Sequence, residues 1–315
     1  MVNSKIEHTN LVSIVIVNRN GIEFLNRCLT AISFSTYTQT EIIIVDNNSK
    51  DGSQYICTLQ TGGDYGPAVA RNMGAKYAKG KYILFLDNDT EVKEDAISEM
   101  IAHMHRQGDV MCTAHLLRIT DKQLDSAGDY INRFGFLVAN KHLSPVLSVK
   151  TAACMVEKKV FAEVGGFDES YYMYLEDTDL AWRVNKLYVG KVGFAKKAIV
   201  YHSFDTPLKV GKYDMRNVRY NGCRNYITTL IKNLSVSNLF LILPLHVLCW
   251  LVIALLLIGR GKRKEGKWIM EGIWYNVRHF THLIKKRSKG RCMEEYFMIR
   301  DSIREYVRKI KSYIR

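Results

Sequence analysis

Three short apolar runs, each ending in polar residues, constrain the fold of this 315-residue chain more than any other feature. The runs cover residues 11–17, 41–45 and 82–86, and the first two consist mainly of Val and Ile. Continuous apolar runs of this length are typical of strands that are buried on both faces of a parallel sheet. Helical patterns lie between the runs, so the sequence predicts strands and helices that alternate in an α/β domain.

Helices are predicted wherever apolar residues recur at intervals of three and four. These segments cover residues 24–32, 53–59, 67–78, 96–106, 157–164 and 176–187. Two further short strands are predicted at residues 192–194 and 198–201, whereas residues 116–150 show no regular pattern. The strand-helix alternation is therefore clearest in the first third of the chain.

Polar side chains follow each of the three predicted strands. The clusters are Asn18-Arg19, Asp46 and Asp87-Asn88-Asp89. Because ligands of open α/β sheets bind beyond the carboxyl ends of the strands, the three clusters are expected to line one crevice. Asp87 and Asp89 alternate along the backbone, so both carboxylates can face one side and hold Mg²⁺ or Mn²⁺. A polar turn after a strand is the alternative explanation.

The charge of the chain is divided unevenly. Residues 1–204 carry 22 Lys and Arg against 23 Asp and Glu, whereas residues 205–315 carry 23 against 8. The division predicts a near-neutral domain and a basic C-terminal region, with a boundary near residues 205–213. The seven cysteines form no metal-binding spacing, which favours reduced thiols, and the polar first ten residues predict no signal peptide.

Residues 239–258 form a twenty-residue apolar segment, which is long enough to cross a bilayer. A basic cluster follows at 259–264, of the kind that stays cytoplasmic and attracts anionic lipid. The segment therefore predicts membrane attachment, although Pro244 and His246 leave open whether it spans the bilayer or lies in its interface. A buried core helix is the alternative. The apolar segment beside the basic tail argues against nucleic acid as a partner.

Seven motifs, in this order, resemble the family 2 glycosyltransferases with the GT-A fold, and within them the rhamnosyltransferase-like branch. They are VSIVIVN at 12–18, IVDNNS at 44–49, GPAVARN at 66–72, LDND at 86–89, GGFDE at 165–169, EDTDLAWR at 176–183 and YH at 201–202. The resemblance covers roughly residues 11–230. Two departures are a short stretch between Asp51 and Gly66, which puts the third strand of the nucleotide half in doubt, and Pro67, where many members have an aromatic residue.

The resemblance implies an inverting transfer of a sugar from a nucleotide diphosphate donor, with a divalent cation as cofactor. It implies that Asp89 and His202 bind the metal, and that Asp46 accepts a hydrogen bond from the pyrimidine ring. Asp87 would face the donor's ribose and sugar, and Arg71 would reach the nucleotide or the pyrophosphate. The remaining residues expected to bind the nucleotide-sugar are Val17, Asn18, Arg19 and Asn88. Asp46 and Arg71 could also be an ordinary turn residue and a solvated helix residue.

The acceptor hydroxyl requires a general base, and the resemblance points to Asp177, with Glu176 orienting the acceptor or the base. A predicted helix begins here, and its dipole favours ionised carboxylates, although simple capping of the helix would use the same residues. Three residues are weaker candidates for contacts with the acceptor or a phosphate, since a core or solvated position explains them equally well. They are Trp182, Arg219 and Arg224.

The sequence thus predicts a GT-A catalytic domain at residues 1–210, with a nucleotide half at 11–115 and an acceptor half at 116–210, and a helical membrane-associated region at 211–315. A lipid-linked glycan or polysaccharide is the expected acceptor, at the cytoplasmic face of the membrane, with peripheral, monotopic or single-pass attachment. The resemblance to the rhamnosyltransferase-like branch points to dTDP-rhamnose as the donor and leaves a UDP-hexose open. A membrane-anchored, non-catalytic nucleotide-sugar or glycan-binding protein is the alternative. A dehydrogenase lacks support because no Gly-x-Gly-x-x-Gly follows the first strand.

Overall fold

The structure is a computed structural model, and it describes residues 10–140, 144–203 and 214–291 together with the strand at residues 298–299. Residues 1–9, which form most of the polar N-terminal segment, lie outside the described residues. Cys292 and the predicted domain boundary at 205–213 lie outside them as well.

The first part of the chain forms the parallel half of the main sheet. Its elements are β1 (Val12–Asn18), α1 (Ile22–Ser33), β2 (Thr40–Asp46), a 3₁₀ turn (Ser53–Ile56), β3 (Leu59–Gln60), α2 (Pro67–Tyr77) and β4 (Tyr82–Asp87). The strands pair in the order β3-β2-β1-β4, all in parallel. The α/β alternation predicted from the apolar runs is confirmed here.

The middle of the chain extends the sheet with mixed strand directions. Its elements are β5 (Thr90–Val92), α3 (Ala96–Gln107), β6 (Met111–Arg118), β7 (Leu124–Ser126), β8 (Asp129–Asn132), β9 (Leu137–Ala139), β10 (Ala153–Glu157), α4 (Lys158–Glu163), α5 (Glu176–Leu187) and β11 (Val192–His202). The order continues β4-β10-β6-β11-β5, and β7 pairs with β6. Because β10 is antiparallel to both of its neighbours, the sheet reverses direction there.

Helices dominate the last part of the chain. A π-helical turn (Asn217–Asn221) leads into α6 (Gly222–Asn233), α7 (Val236–Gly259), α8 (Arg263–Arg278) and α9 (Phe280–Lys285), and β12 (Met298–Ile299) pairs with β8 in a small second sheet. The apolar segment predicted at 239–258 lies within α7, a 24-residue helix with Pro244 inside it.

Alternation along the central strands divides the core into two layers. Val12, Ile14 and Ile16 of β1 pack with α1 and α3 on one face, whereas Val15 packs with α2, α4 and α5 on the other. β4 follows the same rule, with Phe85 on the second face. A third apolar cluster joins α6, α7 and α8 to the strands β8 and β9.

Three local predictions differ from the structure. Residues 53–59 were expected to be helical, but the helix is a single 3₁₀ turn, and Leu59 already belongs to β3. The third strand of the nucleotide half therefore exists, although it has only two residues. The two short strands predicted at 192–194 and 198–201 are one strand, β11, with an irregularity between Ala195 and Ile199. The irregular region 116–150 holds β7, β8 and β9.

Candidate active site

Three potential metal ligands meet at the carboxyl edge of the main sheet. Asp87 is the last residue of β4, Asp89 lies just beyond it, and His202 ends β11. One ligand atom from each lies within 4.8 Å of the others. The register of the sheet explains the meeting, because Thr90 of β5 pairs with His202 and so places the tail of β11 beside Asp89.

The alternation of β4 points Asp87 toward α2 and α5. Phe85 lies on that face of the sheet, and Asp87, two residues later, faces the same way. There the guanidinium of Arg71 donates to Asp87 Oδ1 and to Glu176 Oε1, both at 2.8 Å. Arg71 is buried, with 4% of its surface exposed. Arg71 therefore connects Asp87 at the end of β4 to Glu176 at the start of α5.

Glu176 and Asp177 begin α5 but have different environments. Glu176 is buried, and burial together with the charge of Asp177 raises its pKa, although Arg71 opposes the shift. Asp177 is partly exposed, and its Oδ1 accepts the backbone N–H of Thr178 at 2.7 Å. Asp177 is thus the more accessible of the two carboxylates. We call Asp87, Asp89, His202, Glu176 and Asp177 the sheet-edge cluster.

A carboxylate that the sequence analysis missed holds His202. Asp125 of β7 contacts His202 Nδ1 at 2.8 Å, while His202 Nε2 lies 3.4 Å from Asp89 Oδ2. Burial lowers the pKa of His202, but the hydrogen bonds to Asp125 and Asp89 and the nearby carboxylate charges raise it to about 10. A carboxylate on the far nitrogen is the usual way in which proteins orient a metal-binding histidine. No motif marks Asp125, since it lies in the irregular stretch 116–150.

The donor set suits a divalent cation. Asp87 and Asp89 offer carboxylate oxygens, which Mg²⁺ and Mn²⁺ prefer, and the imidazole of His202 is a good ligand for a transition metal. The predicted ligands Asp89 and His202 are brought together, and Asp87 lies with them. The strand alternation predicted Asp87 as a metal ligand, whereas the family resemblance predicted it as a contact of the donor. Asn88 extends away from this set, and its Nδ2 donates to Asn18 Oδ1 at 2.7 Å.

The predicted pyrimidine site lies at the end of β2. Asp46 is 3% exposed, and its Oδ2 accepts the backbone N–H of Ser49 at 3.1 Å. Its Oδ1 is buried and has no hydrogen-bond partner within the described residues. Such an atom fits an acceptor for a ring N–H, because buried acceptors rarely remain unpaired. Asn18 supports the neighbouring loop, since its Nδ2 donates to Ser53 Oγ at 2.7 Å.

Arg19 and Val17 are the remaining residues predicted to contact the nucleotide. Arg19 forms an ion pair with Asp64 at 2.8 Å, and the hydroxyl of Tyr172 donates to the same carboxylate at 2.7 Å. Val17 is partly buried against the second core layer. The backbone at Gly66 packs directly against the backbone of Tyr172. Glycine allows this contact because it has no Cβ: at φ +84°, a Cβ on residue 66 would lie 2.2 Å from the Tyr172 carbonyl oxygen.

The three weaker acceptor candidates pack elsewhere. Trp182 is 1% exposed in the C-terminal apolar cluster. Arg219 is buried and donates to Glu265 Oε2 at 2.8 Å, and the guanidinium of Arg224 lies 4.2 Å from the centre of the Tyr275 ring. These contacts fix α8 against the helices before it. The structure thus does not bring these residues to the sheet-edge cluster.

A second acidic group lies one turn further along α5. Asp179 is fully buried, and its Oδ1 accepts from Lys232 at 2.7 Å while its Oδ2 pairs with Arg183 at 2.9 Å. Lys232 also pairs with Asp168 of the GGFDE motif at 2.8 Å. We call these four residues the helix-junction cluster, because they connect α5 and the loop before it to α6.

Comparison with known proteins identifies the class to which the fold belongs. The structure of GalNAc-T7 with UDP, GalNAc and Mn²⁺ superposes with a TM-score of 0.60 at 16% identity, over 86% of this chain and 58% of that chain. At this identity the likeness shows the fold alone. The fold is that of the GT-A glycosyltransferases, as the sequence predicted.

Sequence comparison then identifies the family. Residues 13–165, just under half of the chain, match the family model for glycosyl transferase family 2, so this part of the chain is a domain of that family. Glycosyltransferase GlyG of Streptococcus pneumoniae is 36% identical over 103 residues, which are 29% of this chain and 34% of GlyG. Rhamnosyltransferase WbbL of Escherichia coli is 27% identical over 205 residues, or 56% of this chain and 77% of WbbL.

These relatives confirm the predicted family. The chain spans about a third of GlyG, so the relatives' names do not fix the activity of the whole protein. Within the described residues, α7 is the one helix that is long and apolar enough to cross a membrane.

Proposed function

We propose that the protein is an inverting, metal-dependent glycosyltransferase that moves a sugar from a nucleotide diphosphate donor to a glycan acceptor. The observation that carries the proposal is the sheet-edge cluster itself. It gathers three side chains that could bind a metal within 4.8 Å at the carboxyl edge of the sheet, and Arg71 connects Asp87 among them to Glu176 at the start of α5. Family membership and the GT-A fold support the reaction class.

Each residue of the cluster has a distinct task in such a reaction. Asp177 accepts the proton of the acceptor hydroxyl as that oxygen attacks the anomeric carbon from the face opposite the leaving group. Glu176, held by Arg71, fixes the start of α5 and hence the position of Asp177. Asp87, Asp89 and His202 would hold a divalent cation, which neutralises charge on the departing diphosphate when it is bound.

The donor is a pyrimidine nucleotide in this proposal. The unpaired, buried Oδ1 of Asp46 supports it, because uracil and thymine both carry a ring N–H that can donate there. Arg19, Asn18 and Val17 line the same end of the sheet and would contact the nucleotide. The UDP and Mn²⁺ named with GalNAc-T7 and the activity named for WbbL are compatible with a UDP-hexose and with dTDP-rhamnose, respectively.

The acceptor in this proposal is a lipid-linked glycan or a polysaccharide at the cytoplasmic face of the membrane. The long apolar helix α7 and the basic loop after it support a membrane location. Nucleotide-sugars are cytosolic, so donor and acceptor would meet at that face.

Donor consumption by the full-length protein in detergent tests the proposal. The purified chain would be supplied with dTDP-rhamnose or UDP-hexoses, Mn²⁺ and a lipid extract, and transfer would be followed by mass spectrometry of the lipid fraction. We expect a glycosylated lipid product that disappears with a metal chelator and in Asp177→Asn. The matched control is Asp121→Asn, an exposed carboxylate on the loop before β7. A chelator-insensitive product would refute metal dependence, and donor binding without any turnover would favour the non-catalytic alternative.

A further inference from the structure

The α7–α8 hairpin carries an extensive apolar surface that the folded chain leaves uncovered. We call this surface the apolar face and define it by large side chains that are each at least 40% exposed. On α7 they are Val236, Phe240, Leu241, Leu245, Leu248, Val252, Leu255 and Leu256, and on α8 they are Met270, Trp274 and Val277. Exposed apolar patches that are larger than a few hundred Å² usually mark an interaction site.

The opposite side of α7 packs against the protein along almost its whole length. Leu239, Ile242, Trp250, Ile253 and Leu257 are all 7% exposed or less and belong to the C-terminal apolar cluster. They follow one another at intervals of three, eight, three and four residues, which keeps them on one helix face. From Leu239 to Leu257 this face extends about 27 Å, at 1.5 Å per residue. The helix is therefore attached to the folded body throughout, rather than at one end.

His246, which in the sequence left open whether this segment spans the bilayer, shows which face of α7 packs against the protein. It is fully buried at the middle of α7, and its Nδ1 bonds to the carbonyl oxygen of Phe134 at 2.7 Å. Its Nε2 accepts from Trp250 Nε1 at 2.9 Å. The polar ring thus points into the protein, and the face on the other side of α7 is apolar.

This packing is incompatible with a helix that crosses the bilayer. A spanning α7 would bring its midpoint, and with it the loop at Phe134, to the centre of the hydrocarbon layer. It would also carry α8, which approaches so closely that a Cβ on Gly266 would lie 2.6 Å from Ile258 Cγ1. α8 bears Lys267 and Glu271, and charged groups and irregular backbone are costly in hydrocarbon.

Basic side chains border the apolar face at one end of the hairpin. Arg260, Arg263, Lys264 and Lys267 are all exposed, in the turn between α7 and α8 and the first turns of α8. Trp274 is 63% exposed on the same helix. An apolar stripe with tryptophan and a basic border is the pattern of helices that lie in a membrane interface.

We propose that the α7–α8 hairpin docks flat on an anionic lipid bilayer, with α7 parallel to the membrane plane and the apolar face inserted at the level of the headgroups. The occupant of the apolar face is therefore lipid, which matches the exposed apolar stripe in polarity and the basic border in charge. Docking in this way does not depend on sugar transfer, so lipid binding can be tested separately from the proposed reaction.

Vesicle flotation of the full-length protein is the first test. The probes are vesicles of phosphatidylcholine alone and of phosphatidylcholine with 30% phosphatidylglycerol. We expect binding to both, with stronger binding to the anionic vesicles. Replacing Arg260, Arg263, Lys264 and Lys267 by Gln should weaken binding to the anionic vesicles by up to about several hundredfold, since each basic residue contributes roughly fivefold. Equal binding of this variant and the wild type would overturn the role of the basic border.

The apolar face itself is tested with Phe240→Glu combined with Leu255→Glu. Both residues are exposed, at 77% and 67%, so the fold should survive, and vesicle binding should fall about tenfold or more. The matched control is Phe34→Glu with Tyr77→Glu, which changes apolar residues of similar exposure outside the hairpin. Loss of binding in the control variant, or its retention in the hairpin variant, would overturn the proposal.

Depth and topology distinguish a docked helix from a spanning one. Brominated lipids should quench tryptophan emission, and Trp274→Phe should abolish most of this quenching. Alkaline carbonate should release the protein from native membranes. Resistance to carbonate would show a spanning helix and overturn the proposal. A dimer in lipid-free buffer that Phe240→Glu with Leu255→Glu dissociates, without vesicle binding by the wild type, would assign the apolar face to a second copy instead.

Discussion

Two acidic clusters flank the start of α5, and they differ in how their charges are neutralised. In the sheet-edge cluster, Arg71 bonds to Asp87 and Glu176, while Asp177 stays partly exposed. In the helix-junction cluster, Asp179 alone meets both Lys232 and Arg183 and is fully buried. Two residues of one motif therefore lie in opposite environments.

The difference separates a residue that can act in the reaction from one that stabilises the fold. A carboxylate that is buried and paired with two cations has its lone pairs occupied and cannot readily accept a proton from a substrate. Asp177, which is partly exposed, keeps a carboxylate oxygen accessible to a substrate. The comparison predicts that substitution of Asp177 lowers activity and leaves stability nearly unchanged, whereas substitution of Asp179 or Lys232 lowers stability.

The largest expected effect comes from Asp177→Asn. Removal of the general base should lower kcat by about 10²–10⁴-fold, because the acceptor hydroxyl then lacks a proton acceptor. Nucleotide binding and the melting temperature should stay close to those of the wild type. Steady-state kinetics, calorimetry with UDP or dTDP and thermal unfolding measure the three quantities.

The matched substitution two residues later, Asp179→Asn, should give the reverse result. It should lower the melting temperature markedly, because Lys232 and Arg183 lose a buried partner. Activity per folded molecule should change much less than in Asp177→Asn. If Asp177→Asn also loses the nucleotide, Asp177 does not act as the base.

Lys232→Met tests the helix-junction cluster from the cationic side. Lys232 is 3% exposed, and its loss leaves Asp168 and Asp179 without their shared cation. Breaking a buried ion pair costs about 3–5 kcal/mol, and we expect a loss of that order in the free energy of unfolding at pH 7. Denaturant titration gives the value. A change below about 1 kcal/mol, the range of an exposed ion pair, would contradict the assigned role.

The stability of Lys232→Met should change with pH in the opposite direction to that of the wild type. Burial alone raises the pKa of Asp168, but Lys232 and local hydrogen bonds lower it below the ordinary value of 3.8. In the wild type this stabilisation is present above pH 3.8 and is lost as the pH falls through the lowered pKa. Without Lys232, burial raises the pKa of Asp168. Protonation of Asp168 then removes part of the variant's loss of stability as the pH falls. The difference in the free energy of unfolding between the wild type and Lys232→Met should therefore be smaller at pH 4 than at pH 7. A constant difference would contradict this explanation.

Asp125→Asn should have the smallest of these effects. Loss of the carboxylate that orients His202 should weaken Mn²⁺ binding by about 10–100-fold. Calorimetry with Mn²⁺ alone measures the change, and nucleotide binding without metal should be unaffected. Asp121→Asn, on the exposed loop four residues earlier, is the control. Unchanged Mn²⁺ affinity in Asp125→Asn would show that the contact with His202 is only structural.

Local patterns predicted the parts of the fold in which neighbours in sequence decide the structure. The β1 and β4 runs alternate between two buried layers, so their apolar composition fixed both the strands and the edge at which Asp87 and Asp89 lie. The site residues at that edge follow from strand ends, which a sequence displays directly.

Contacts between distant segments were beyond such patterns. Asp125 reaches His202 only because β7 and β11 both pair with β6. In the sequence, Lys232 does not differ from the other lysines of the basic region. Its role becomes visible only in the structure, where α6 packs beside α5. The apolar segment of α7 likewise does not reveal that His246 faces the protein. In each case a partner more than 50 residues away determines the role.

The most direct test of the account is metal-dependent nucleotide binding by the sheet-edge cluster, measured by thermal shift. The wild type, Asp89→Asn and the control Asp95→Asn, at a partly exposed carboxylate just before α3, would be heated with UDP or dTDP, with and without Mn²⁺. A ligand at 100 times its Kd stabilises the native state by about 2.7 kcal/mol. We expect Mn²⁺-dependent stabilisation in the wild type and in Asp95→Asn, and none in a folded Asp89→Asn. Equal stabilisation of all three proteins, or none in the wild type, would contradict the assignment of this cluster as the donor site.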